Sequence, residues 1–350
     1  MRIGEGHAPG RINLIGEHTD YNEGLVLPIA LRLAVSVRAR ERDDDRVRVS
    51  TDAPLQPNEG VYELGREAKD GTWVDRVRAV THALAANEIP VHGFEAKISS
   101  TLPSGAGLGS SAAFAVAVIR AIADLFGHHL ENADIVRVAH EAEVGPLVGA
   151  KAGLLDQLAS VYGSPDSALL IDIRGEATES IPLPSAVALA VIDSATRHEH
   201  ATGGYNKRRE ECETAARHLG VDSLRDLEDR PLEEVLERLP APLDRRARHV
   251  ITENARVRDA VMAMRGHDAA YLGRLLNASH QSLRDDYEVS TPVLDGLVDL
   301  ARAEGALGAR LVGGGFGGSI IALTRPTEAR ALAERIVARS ERAHLVAVVP

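Results

Sequence analysis

The chain has 350 residues, 44% of them hydrophobic, and a net charge of −11 with acidic and basic residues interspersed along it. That length and apolar content suit two domains or one large one with real cores, and the charge pattern argues against nucleic acid or an anionic membrane as the main partner. Its single cysteine, Cys212, excludes an internal disulfide and fits a reducing compartment.

No apolar run of about 18 residues is present to span a membrane. Met1 leads into Arg2-Ile-Gly-Glu-Gly-His without the apolar stretch of a signal peptide. A soluble cytoplasmic protein is therefore expected; the oligomeric state is not readable from the sequence, with a monomer slightly favoured over an oligomer. The segment from Gly10 to Asn22 crowds Arg, Asn, Glu, His, Thr, Asp and Tyr around a small apolar patch. That density of donors and acceptors suits a loop that binds a polyhydroxylated ligand better than a solvated turn.

Leu31–Arg40 and Arg46–Ser50 alternate as half-buried strands do, and the Asp43–Asp45 run between them predicts a hairpin. Trp73, Val77, Val80 and Leu84 then fall on one helical face, which makes Trp73 a core residue. A strand over Gly93–Ser99 feeds Leu102-Pro-Ser-Gly-Ala-Gly-Leu-Gly-Ser-Ser-Ala-Ala113, which runs into an apolar helix ending near Phe126. Gly105, Gly107 and Gly109 open backbone conformations closed to other residues, and Ser110 and Ser111 stand where a helix N-cap is expected. Free N–H groups ending on the positive end of a helix dipole suit a phosphate cradle, the alternative being a plain glycine-rich connection capped by serine. No lysine follows the glycines as in a P-loop, and Ser110 replaces the third glycine of the dinucleotide fingerprint.

Helices follow over Asn132–Glu143 and from Gly153 to Ser160, broken by Gly145-Pro146. Asp156 and Gln157 sit between leucines, where amphipathic spacing permits either a solvent-facing or a site-facing position. Ser167–Asp172 and Val187–Asp193 have the composition of buried strands, and Pro182 and Pro184 between them mark the best domain boundary, dividing 1–183 from 184–350. Helices are predicted over Tyr205–Leu219, Leu243–Met264, Ala269–Leu283, Val293–Glu304 and Thr327–Glu341, with a closing strand at Leu345–Val349. Between apolar strands in Gly308–Leu323, the glycines at 313, 314, 315, 317 and 318 exceed what a hairpin needs and suit close approach to a ligand. The class is α+β in two lobes, with the glycine turns facing each other across a cleft. His198-Glu-His200 lacks both a third ligand and H-E-x-x-H spacing, and G-x-S-x-G is absent, so neither a metal cage nor a hydrolase elbow is expected.

Three stretches together carry a resemblance. Gly10-Arg-Ile-Asn-Leu-Ile-Gly-Glu-His-Thr-Asp-Tyr-Asn22 resembles the galactokinase signature. Pro103-Ser-Gly-Ala-Gly-Leu-Gly-Ser-Ser-Ala-Ala113 and Val312-Gly-Gly-Gly-Phe-Gly-Gly-Ser319 resemble the ATP-phosphate motif and the third motif of the wider GHMP kinase family. Gly153-Leu-Leu-Asp-Gln157 and Gly204-Tyr-Asn-Lys-Arg-Arg-Glu-Glu-Cys212 are similar to further galactokinase segments, so the likeness covers nearly the whole chain.

The resemblance implies the two-lobed GHMP kinase fold. Its N-terminal lobe has a mixed sheet and a left-handed βαβ crossover, against the usual preference. Its C-terminal lobe is helix-rich α+β, and the active site lies in the cleft. The implied activity is ATP-dependent phosphorylation of the anomeric C1 hydroxyl of α-D-galactose. The implied sugar contacts are Glu17, His18, Asp20, Gly153 and Tyr205, with Asp156 as base and Arg11 as its cationic neighbour. ATP would lie against Trp73, Gly105, Gly107, Leu108, Gly109, Ser110 and Ser111. Mg²⁺ would be held by Ser111 and a glutamate of the following helix, Glu143 or its alternative Glu141. A kinase for another sugar, such as N-acetylgalactosamine or arabinose, and a sugar- and ATP-binding regulator without turnover are the competing functions.

Three departures from the family pattern stand out. The stretch from Glu143 to Asp156 is one residue longer than usual, the chain starts almost at the signature, and Asp75-Arg-Val-Arg-Ala79 replaces an Asn-Tyr-containing version after the tryptophan.

Overall fold

The structure is a computed structural model that describes residues 2–103, 105–197 and 201–350. His198-Glu-His200 therefore lies outside the described residues. In chain order the elements begin with β1 (Ile3–Asn13), β2 (Leu25–Val26), β3 (Pro28–Glu41), β4 (Arg46–Thr51) and β5 (Glu59–Glu63). Then come α1 (Asp75–Ala86), β6 (Phe94–Ser100), α2 (Ser110–Phe126), α3 (Asn132–Val144), α4 (Leu155–Tyr162), β7 (Ser167–Asp172), β8 (Ala177–Pro182) and β9 (Ala188–Arg197). The remainder is α5 (Ala201–Leu219), α6 (Leu232–Leu236), α7 (Leu243–Arg265), α8 (Ala269–Asp285), α9 (Pro292–Ala303), β10 (Gly308–Val312), β11 (Gly317–Thr324), α10 (Ala329–Ala338) and β12 (His344–Val349). Among the described residues no helix is long and apolar enough to cross a membrane.

The chain forms two compact units, each assembled from separated segments. The first contains Met1–Arg11, Ala30–Ser104 and Leu108–Tyr162; the second contains Ile12–Ile29, Gly105–Gly107 and Gly163–Pro350. This differs from the linear division at 183 and 184, because β7 pairs with β2 and β8, and Leu25 donates its N–H to Asn254 Oδ1 on α7 at 2.8 Å. Those bonds draw residues 12–29 and 163–183 into the second unit.

In the first unit β3 pairs antiparallel with β6, β6 parallel with β4, and β4 antiparallel with β5, while β1 pairs with β3. Alternation explains the strands: β3 buries Val35, Val37 and Ala39, β4 buries Val47 and Val49, and β6 buries Phe94, Ala96 and Ile98. Helices α1, α2 and α3 pack on one another, and α2 is apolar on most of its surface.

The predicted β3–β4 hairpin does not form, since β6 lies between those strands. None of Asp43–Asp45 takes the positive φ that a tight hairpin turn demands. The loop instead passes over the entry to β6, where a Cβ on Gly93 would stand 1.7 Å from the Asp44 carbonyl oxygen. Trp73 also departs from its predicted place on the α1 face. The helix begins at Asp75, whose carboxylate accepts from the N–H groups of Asp70 and Gly71 at 3.1 and 2.7 Å and folds the preceding segment back as a loop.

In the second unit β10, β11, β9 and β12 form an antiparallel sheet in that order, contacted by α8, α9 and α10. Ala190, Ile192, Leu311 and Ile320 from the sheet join Cys212, Val250, Leu283 and Leu294 from the helices in one core. Strand β8 went unpredicted because its residues are exposed apart from Ile181, so no buried periodicity marks it.

Candidate active site

In the first unit, helix α2 starts at Ser110, and its cap is Gly109 in the left-handed conformation (φ 68°) rather than either serine. The first intrahelical bond runs from the Ala113 N–H to the Gly109 carbonyl at 3.1 Å. The N–H groups of Ser110, Ser111 and Ala112 thus precede the ladder, as the opening amides of a helix must. Arg11 is fixed beside this turn, its N–H donating to the Leu108 carbonyl at 2.9 Å. Its guanidinium holds Asp156 by Nε at 2.8 Å and Nη2 at 2.5 Å, both on Oδ1. Asp156 stands in the first turn of α4, and Gly153 just precedes that helix. Gln157 is fully buried and donates Nε2 to Glu143 Oε2 at 2.5 Å. Both α4 polar residues therefore face protein groups, which removes the solvent-facing alternative.

Burial, together with the nearby Asp156 carboxylate, raises the Glu143 pKa, against hydrogen bonds from Ser111 and Gln157 and the charge of Arg76. Glu141 points elsewhere: its carboxylate accepts from Asn87 Nδ2 at 2.5 Å and faces Arg137. Trp73 is half-buried, with Nε1 donating to the Pro57 carbonyl at 2.6 Å and its ring edge-on to Phe114.

Oxygen donors from Ser111 and Glu143 match what Mg²⁺ prefers. A buried carboxylate raised by a neighbouring carboxylate is also a place where a cation would relieve repulsion. The donor set therefore fits Mg²⁺. Among the described residues no group of three His, Cys, Asp or Glu side chains could hold a metal ion by itself.

In the second unit, the segment following Arg11 winds into a tight polar turn. His18 takes φ 64° and Asp20–Asn22 form a single 3-10 turn. Thr19 Oγ1 donates to the carbonyls of Gly16 and Leu25 at 2.9 and 2.7 Å, and Asn22 Nδ2 donates to the His18 carbonyl at 3.0 Å. A left-handed non-glycine residue held this firmly is strain of the kind found at functional sites.

Glu17 is buried and accepts the Gly313 N–H on Oε1 at 2.7 Å, with Arg310 Nη2 at 3.5 Å from the same oxygen. His18 Nδ1 bonds Tyr21 Oη at 2.8 Å, and Tyr21 bonds Tyr287 Oη at 2.8 Å. The Tyr205 and Tyr287 rings lie 5.3 and 4.8 Å from the imidazole. Burial, then the neighbouring His249, pushes His18 down to about 3, so its ring is neutral near pH 7. Asp20 and Tyr205 are half-buried.

Gly105, Gly107 and the third-motif glycines all lie in this second unit. The two glycine segments pack directly against each other instead of facing across a cleft. Ser319 Oγ donates to the Ala106 carbonyl at 2.9 Å, and a Cβ on Gly313 would stand 3.3 Å from the Gly107 carbonyl oxygen. Gly105 and Gly107 both have left-handed φ, 70° and 76°.

Three residues at these sites escaped the sequence. Arg76 donates to the Ser111 hydroxyl, Arg310 backs Glu17, and His249 Nε2 bonds the Glu17 carbonyl at 3.1 Å. For Arg310 a signal existed, namely one arginine inside the otherwise apolar strand Gly308-Ala-Arg-Leu-Val312. Arg76 stands between Asp75 and Arg78 in α1 and His249 sits in the charge-rich α7, where nothing sets them apart.

The chain matches the galactokinase galactose-binding signature over residues 4–41, the GHMP kinases N terminal domain over 75–164 and the GHMP kinases C terminal over 259–341. It is 42% identical to the galactokinase of Roseiflexus sp. (strain RS-1), covering 90% of this chain and 82% of that protein. Its identity to the galactokinase of Thermotoga neapolitana is likewise 42%, over 91% of this chain and 88% of that protein. The crystal structure of Lactococcus lactis galactokinase complexed with galactose matches with a TM-score of 0.93 at 30% identity, covering 98% of this chain and 92% of that one. Methanococcus jannaschii mevalonate kinase shares the fold at a TM-score of 0.73 and 18% identity, covering 97% and 96% of the two chains. The chain belongs to the galactokinases of the GHMP kinase family, and its fold is theirs.

Proposed function

We propose that this chain transfers the γ-phosphoryl group of ATP to the anomeric C1 hydroxyl of α-D-galactose, with Asp156 as proton acceptor. Family membership supports ATP-dependent phosphorylation of galactose, with ATP as co-substrate. The observation that carries the finer assignment is the Arg11–Asp156 pair. A carboxylate is held on one oxygen by a guanidinium at 2.5 Å, in the same unit as Ser111, Glu143 and the opening amides of α2.

Phosphoryl transfer depends mostly on alignment and on neutralising charge. The Gly105–Ser111 segment would supply amides to the phosphates, with Ser110 and Ser111 at the positive end of α2 and Trp73 toward the adenine. Ser111 and Glu143 would hold Mg²⁺, which when bound neutralises phosphate charge in place of a P-loop lysine. Arg11 orients Asp156 and adds positive charge for the transferring group. The acceptor proton leaves late in a loose transition state, so Asp156 need not be a strong base.

Glu17, His18, Asp20, Gly153 and Tyr205 would meet the sugar hydroxyls. His18 brings a neutral ring, and Glu17 also ties the signature to Gly313. A pocket whose polar groups pair with particular hydroxyls penalises an epimer that leaves one unpaired. The test is ADP release from Mg-ATP with galactose, glucose, N-acetylgalactosamine and arabinose. Galactose should give the highest kcat/KM, with glucose at least about a hundredfold lower by the penalty for an unpaired buried polar group. Equal values for galactose and glucose would overturn the pocket assignment, and a higher value for another sugar would reassign it.

A further inference from the structure

We propose that Arg76 binds the polyphosphate of ATP, reaching it from the first turn of α1 across the first turn of α2. The proposal rests on the assignment of the α2 N-terminus as part of the ATP-phosphate site. Arg76 is exposed and donates Nη1 to the Ser111 hydroxyl.

The contrast with Arg78 on the same helix is informative. Arg78 is buried, and its Nη1 is locked at 2.7 Å from Asp70 and 2.6 Å from Asp75. No carboxylate among the described residues holds Arg76 in such an ion pair.

Arg76 is therefore a cation placed at the positive ends of two helices, in the first turn of α1 and against the first turn of α2. Helix dipoles disfavour a cation there and favour an anion. A polyphosphate resolves these features together. It takes the opening amides of α2, whose first turn holds no acidic residue, and presents oxygens to the planar fork of a guanidinium. A neutral sugar or nucleoside would resolve none of them.

The experiment is calorimetric titration of ATP and AMP into the full chain without sugar and with EDTA in place of magnesium, so that the readout is binding and not turnover. Arg76→Ala should weaken ATP about three- to tenfold, as expected for one exposed charge-assisted contact. AMP affinity and melting temperature should stay unchanged, and Arg76→Lys should recover part of the loss. ATP affinity equal to that of the unsubstituted chain, or an equal loss for AMP, would overturn the proposal. Ser111→Ala and Gly107→Ala distinguish a misplaced phosphate site from a misplaced arginine. If both leave ATP affinity untouched, the phosphate site itself is wrong; if both weaken it while Arg76→Ala does not, only the role of Arg76 fails.

Discussion

Asp156 keeps its carboxylate in place through Arg11, so exchanging it for an amide removes the proton acceptor while leaving an oxygen for the guanidinium. Asp156→Asn should lower kcat by about 10²–10⁴-fold, the usual contribution of a positioned base, with ATP affinity measured by calorimetry within about twofold. A kcat near that of the unsubstituted chain would remove Asp156 from the base role. Arg310 has a different part. It is fully buried, donating Nη1 to the carbonyls of Asn13 and Leu14 at 3.3 and 3.1 Å while Nη2 faces Glu17. Arg310→Met strips a buried carboxylate of its cation and should cost about 3–5 kcal/mol in denaturant unfolding; a loss under about 1 kcal/mol would show that Glu17 needs no counter-charge. At this scale the sequence exposed what is dense and hid what is solitary. Arg11, Glu17, His18 and Asp20 crowd one short segment, whereas Arg310 completes the same turn from nearly the far end of the chain.

The glycine segment before α2 shows the same contrast among elements. Gly105, Gly107 and Gly109 all take the left-handed backbone that their spacing suggested, and the last of them displaces the serines as cap. A Cβ on Gly107 would find its nearest neighbour, the Val312 carbonyl oxygen, at 3.6 Å, so space is not the obstacle. Gly107→Ala should therefore cost only the conformational penalty of about 1–2 kcal/mol, yet weaken ATP at least about tenfold if phosphates approach this backbone. A variant that binds ATP normally would place the phosphates elsewhere. Long or continuously apolar elements, such as α2, α7 and the β10–β11 pair, were legible in the sequence. Strand pairing was not, because the alternation in β3 and β4 records which faces are buried and not which strand lies between them.

Across the whole molecule, the chain passes repeatedly between its compact units, so no single cut in the sequence separates them. Contacts such as Leu25 with Asn254 decide the units, and they join residues too distant in sequence for local patterning to reveal. The second unit also fixes how stability responds to acid. Burial pushes His249 down to about 4 from 6.5, with Arg256 acting in the same direction against Glu253, and His18 is lower still. A depressed imidazole leaves the unfolded chain binding protons first, so its contribution is complete above pH 6.5 and is lost as pH falls toward 4. For His249 alone that loss is about 3 kcal/mol, and the melting temperature should fall steadily over the window; a flat profile would contradict the buried neutral ring. The bond that the protein makes defines its activity. Phosphorus NMR of a reaction with Mg-ATP and galactose reads it directly: the expected products are ADP and a phosphate ester coupled to the anomeric proton. An ester on another carbon, or ATP left intact by a chain that binds both ligands, would contradict it.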